Sequence, residues 1–236
     1  GLGMIELETE ISPERVTITR GLAHIVHGGG TVDLRGTVGL TNGLPLSLQV
    51  DVHDLQFARL MEQLGVTPNA IVAWGLSARI QLAGTLDPLS FGGPLRTSTH
   101  DFVVTSGPWH AEPRRAVIGA AAAEVRGTVR VDAQALRFVN VVAQLPLSRI
   151  EADVHIGFDN ALRVSGRAPM LDLADVTPLL DFDLAGVGTA SVEVAGTMSD
   201  PTVGGSLRFA NFAFDTFALG DVQSDWRLEK DSDAVR

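Results

Sequence analysis

Apolar and polar residues alternate with a period of two over most of the chain. The cleanest run is residues 44–53, where Leu44, Leu46, Leu48, Val50 and Val52 fall on one side and Pro45, Ser47, Gln49, Asp51 and His53 on the other. That period describes a β-strand with a single apolar face. It recurs with Ala78, Ile80 and Leu82 against Ser77, Arg79 and Gln81, and with Val129 and Val131 around Arg130. It returns with Ile150, Ala152, Val154 and Ile156 against Glu151, Asp153 and His155, and with Val192 and Val194 around Glu193. Strands are also expected over Met4–Thr9, Arg15–Arg20, Thr31–Leu40, Val125–Ala133, Leu136–Ala143 and Leu162–Arg167. The period changes at Phe57, Leu60, Met61 and Leu64, spaced i, i+3, i+4 and i+7 and closed by Gly65, which predicts a two-turn amphipathic helix. A counterpart over Leu171–Leu180 is kept short by Pro178. The pattern predicts an all-β protein with two or three short helices at most, which plug the end of a sheet.

One block occurs twice. Gln81–Leu95 reads QLAGTLDPLSFGGPL and Glu193–Leu207 reads EVAGTMSDPTVGGSL, with Gly84 and Gly196 separated by 112 residues, as are Leu95 and Leu207. In each, a strand leads into a turn at Asp-Pro (Asp87-Pro88 and Asp200-Pro201), where Pro fixes φ and Asp can accept nearby backbone N–H groups. The Gly-Gly pair that follows would permit a bulge or bend as the next strand begins. Duplication at this spacing predicts two β modules, residues 1–111 and 112–236, divided at the polar break Glu112–Arg115 and joined in one continuous groove. The charged tail from Gln223 is expected to fray.

Composition narrows the choice of function. Aromatic residues are 6% of the chain, Tyr is absent and Gly numbers 25, so the apolar content is carried by Val, Leu, Ala and Ile. A net charge of −10 argues against a nucleic-acid partner, which requires a basic surface. The lack of cysteine removes disulfides, thiolate metal sites and a Cys nucleophile. The apolar run Ala116–Ala123 is far short of the roughly 20 residues of a spanning helix. The chain starts and stops in mid-pattern, as an internal piece of a longer protein would.

The search for catalysis returns little. Gly28-Gly29-Gly30 lacks the lysine of a phosphate loop and the strand–GxGxxG–helix setting of a dinucleotide site. His24, His27, His53, His100, His110 and His155 form no metal-ligand motif, and no GxSxG elbow marks a serine nucleophile. The expectation is a protein that is not an enzyme and has no cofactor or metal. One-sided strands can bury their faces in two ways: two sheets pack as a β-sandwich, or one sheet curls into a trough lined by small apolar side chains.

The repeated block, with its upstream Leu-Asp-Leu segments, resembles the AsmA-like/TamB family, the inner-membrane subunit of the translocation and assembly module. The resembling pieces are Gly30–Gly36, Asp54-Leu55, Gly84–Leu95, Gly127–Val131, Leu171–Leu173 and Gly196–Leu207. The resemblance implies an elongated, half-open, taco-like β-groove within a periplasmic bridge whose full-length parent is anchored in the inner membrane. It implies passage of phospholipid acyl chains towards the outer membrane, or help in outer-membrane protein assembly beside a TamA/BamA-like barrel partner. The groove lining would be Leu44, Leu46, Leu48, Val50, Val52, Ile80, Leu82, Val129, Val131, Val154, Ile156, Val192 and Val194. The competing expectation is a structural, adhesin-type β-repeat protein with a filled core, although solenoid rungs repeat at about 20–30 residues.

Overall fold

A computed structural model describes residues 4–24, 30–56, 70–106, 115–175, 183–197 and 200–228. Thirteen strands form one antiparallel sheet, and their order across the sheet is their order in the chain. They are β1 (Ile5–Ile11), β2 (Arg15–His24), β3 (Thr31–Gly39), β4 (Pro45–Gln56), β5 (Ala70–Leu86), β6 (Leu89–Ser106) and β7 (Arg115–Asp132). Then follow β8 (Ala135–Gln144), β9 (Arg149–Gly157), β10 (Ala161–Asp172), β11 (Leu184–Thr197), β12 (Pro201–Phe214) and β13 (Phe217–Leu228). β1 and β13 do not pair, so the sheet is a curved, open groove and not a barrel. Its surface of 14528 Å² compares with about 10,000 Å² for a compact 25 kDa protein.

The two copies of the repeated block form equivalent hairpins, β5–β6 and β11–β12, six strands apart. In the first, Asp87 and Pro88 alone make the turn, and their peptide is cis. Threonine fastens both turns. Thr85 Oγ1 donates to the Pro88 carbonyl at 2.8 Å, and Thr197 Oγ1 accepts from the Asp200 N–H at 3.1 Å. Gly84 and Gly196 both have positive φ, +151° and +122°. The Gly-Gly pairs do not make the expected bulges, since register runs without a shift through Gly92-Gly93 on β6–β7 and Gly204-Gly205 on both sides of β12. They permit close strand approach instead: a Cβ on Gly93 would strike the Gln81 carbonyl oxygen, and one on Gly92 that of Val129.

Bulges lie elsewhere, at Asp54, Asn140 and Asn211, each with φ near +53°. The N–H of each bulged residue donates to a side chain on the next strand: Ser77 Oγ at 3.2 Å, Asp153 Oδ1 at 2.7 Å and Asp221 Oδ1 at 3.4 Å. Asx residues tolerate this left-handed conformation better than other side chains, and the cross-strand acceptor satisfies a donor that the ladder has dropped.

Several expectations change. Leu44 precedes β4, in a turn where its N–H donates to the Thr41 carbonyl and its φ is +44°, so it is not part of the strand face. Leu171 and Asp172 end β10, and only Leu173–Asp175 form a single 3-10 turn; the rest of that segment lies outside the described residues. The helix expected within Phe57–Leu64 also lies outside them. Gln223–Leu228 do not fray but complete β13, paired to β12 as far as Val203↔Leu228. The proposed module boundary falls between β6 and β7, which pair from Ser90↔Asp132 to Ser106↔Arg115.

Candidate functional site

Directly opposed residues in a sheet share a face, so the registers show which side chains lie together. Leu34, Val50, Ile80 and Leu95 form one row across β3–β6. Two residues before Leu95, Gly93 on the same face opposes Val129, and the row continues through Phe138, Val154, Val164, Val194 and Val203 on β8–β12. Leu46, Leu48, Val52, Leu82, Val131, Ile156 and Val192 occupy neighbouring rows of the same face. Twelve of the thirteen expected lining residues therefore share one surface, and Leu44 is the exception. The apolar residues of 46–52 and 150–156 lie on one face, whereas Leu44, expected with them, does not.

The face is larger than the sequence alone suggested. Val32 and Val38 on β3, Leu136 on β8, Leu162 on β10, Leu207 and Phe209 on β12 and Trp226 on β13 also belong to it. The bulge at Asn211 returns Phe212 to the side of Phe209, with ring centroids 6.2 Å apart. Two of its polar members are satisfied by backbone carbonyls. Thr97 Oγ1 donates to the Ser77 carbonyl at 2.8 Å and Thr99 Oγ1 to that of Ala123 at 3.2 Å, which leaves their methyl groups as the presented surface.

The central part of this face is shielded from solvent. Val50, Ile80, Val154 and Val194 are half-buried, and Leu46, Val129 and Phe209 are buried. Neighbours on the same face shield them, since no second sheet covers the described residues. Along β11 Leu184, Ala190, Val192 and Val194 are half-buried, whereas Val187 on the opposite face is exposed. Shielding disappears at the first edge, where Ile5, Leu7 and Ile11 on β1 are 58–77% exposed.

Among the described side chains, charge lies on the other face. Arg79 pairs with Asp51 at 2.5 Å, Arg149 and Arg167 both hold Glu151 at 2.9 and 2.6 Å, and Arg137 pairs with Asp132. The Asp51 carboxylate is held below its ordinary range by the hydrogen bond from Arg79 and then that from Gln49. Asp132 is lowered by the Gln134 N–H and then by Arg137, and Glu151 by Arg167 and then Arg149. A carboxylate lowered in the folded state stabilises the fold above its unfolded pKa and loses that contribution as pH falls through the folded value. The urea midpoint should therefore hold steady from about pH 7 to about pH 5 and fall below about pH 4, and Glu151→Gln should shallow that fall. An unchanged pH profile in Glu151→Gln would show that this carboxylate contributes nothing.

Among the described residues no three His, Asp or Glu side chains gather as a metal set. His155 Nδ1 accepts from Arg137 Nε at 3.2 Å and His53 lies 3.8 Å from Asp33, so both belong to the charged face. His27 and His110 lie outside the described residues. No protein-family model, curated protein or solved structure matches the chain.

Proposed function

We propose that the apolar face is a conduit for phospholipid acyl chains, within a periplasmic envelope protein of the AsmA-like/TamB kind. One observation carries this reading: a single apolar surface continues through all the strands from β2 to β13, and among the described residues no second layer lies upon it. At about 4.8 Å between strands, the groove runs for roughly 50–55 Å, well over the roughly 30 Å hydrocarbon thickness of a bilayer. An acyl chain in the trough removes apolar surface from water on both partners, at about 0.8 kcal/mol per CH₂. Headgroups stay in water along the open side of the groove. The parent is placed in the inner membrane, with its groove directed towards an outer-membrane barrel-assembly partner.

The test is mass spectrometry of organic extracts from the purified protein. Phospholipid at about one molecule or more per chain is the expected result. Extracts that contain none, from protein that is folded and was prepared without detergent, would sink the conduit and favour a structural sheet.

A further inference from the structure

The charged face holds an arrangement that the acyl-chain reading does not use. Arg79, Arg96 and Arg126 lie directly opposite one another on β5, β6 and β7. Like charges opposed across a sheet destabilise it. Asp51 neutralises Arg79, but Arg96 and Arg126 are exposed and their guanidinium groups have no ion pair or hydrogen bond with any described residue. They border a cavity of about 630 Å³, within the range of small-molecule sites. Its floor is the strand backbone at Ala78, Thr97 and Val125, whose side chains turn to the apolar face. The hydroxyls of Ser77 and Ser98 stand on the next row, beside the two arginines.

We propose that this cavity binds a phosphate group through Arg96 and Arg126. Residues directly opposed have Cβ atoms about 5 Å apart, so two guanidinium groups can share the oxygens of one tetrahedral anion in bidentate contacts. The bound charge removes the repulsion between the arginines, and the serine hydroxyls can donate to the remaining oxygens. Glu124 lies in the same cavity, opposite Ser98. Its carboxylate opposes a long acidic peptide but leaves room for one compact anion on the arginine row. The phosphate could belong to a soluble ester or to a lipid headgroup at a membrane surface. Neither source depends on acyl chains occupying the other face.

Pyrophosphate, followed by calorimetry and thermal melts, probes the soluble source. Sedimentation with vesicles of phosphatidylcholine, with and without phosphatidic acid, probes the headgroup. Arg96→Gln and Arg126→Gln should each weaken binding by about tenfold or more, the scale of one charge-assisted contact. Arg163→Gln, an exposed arginine on β10 outside the cavity, should leave it unchanged, and Glu124→Gln should tighten it. Without ligand, Arg96→Gln should melt at or above the parent temperature, since a like-charge pair is gone. Binding of pyrophosphate alone names a soluble ligand, and binding only to vesicles with phosphatidic acid names a headgroup. Binding of neither, or binding that both arginine variants retain in full, overturns the proposal.

Discussion

Val50→Asp, alone or with Leu48→Asp, is expected to leave the sheet folded and, on the conduit proposed above, to stop lipid passage. Val50 sits mid-strand between Leu34 and Ile80, half-buried, with no second layer over it among the described residues. In a sealed core an unpaired charge costs several kcal/mol, enough to unfold a protein of ordinary stability. In an open trough the carboxylate keeps its water, so stability falls little, but an acyl chain must then pass a hydrated ion. Circular dichroism melts and a lipid-transfer or photo-crosslinking assay on the same variant separate the two cases. A drop in Tm of about ten degrees or more would place Val50 in a closed core. A folded variant that carries lipid at the normal rate would take this strand off the route.

The largest loss of stability is expected from Gly84→Val. Gly84 has φ +151°, and a Cβ there would collide with the Ser90 carbonyl oxygen and lie 2.6 Å from Phe91 Cα. The obstacle is backbone of the partner strand, which cannot swing aside as a side chain can. Left-handed strain of about 1–2 kcal/mol adds to the displacement of β6 at the turn, for a total of about 3 kcal/mol or more. For a chain of this size that lowers Tm by about 10 °C. Gly220 supplies the comparison, since φ there is +79° but nothing lies within 4 Å of an added Cβ. Gly220→Val should show the strain alone, a few degrees. Equal melting temperatures for the two variants would refute the close approach at Gly84.

The parts of the fold that could be read from sequence are those in which alternation runs unbroken. β4, β9 and the hairpin β5–β6 keep period two through their central residues, and their inward faces follow directly. Where a bulge intervenes, the period shifts by one and the apolar residues change parity within a single strand. Leu136 and Phe138 precede the bulge at Asn140, and Val141 and Ala143 follow it, yet all four face the same way. A strict alternation rule assigns the second pair to the opposite face. The Asn and Asp residues within otherwise apolar strands were the available sign, because such side chains suit positive φ. Leu44 failed for a related reason: Gly43 and Leu44 both take positive φ, so the alternation of residues 44–53 runs one residue past the start of its strand. The arginine row could not be read in advance. Arg79, Arg96 and Arg126 are 17 and 30 residues apart, and only the register brings them into line.

Because strand order equals chain order, each strand's partners are its immediate neighbours in sequence, and no pairing waits for a distant part of the chain. Loop-closure entropy is therefore met in small steps along the sequence. The sheet can grow by addition at one edge, as a repeat protein does, with stability close to a sum of neighbour terms. A chain that emerges from its N-terminus can complete β1–β4 before β13 exists. The length of such a groove is then set by how many strands are strung together, and strands can be gained or lost at an edge without rebuilding the pairings between those that remain.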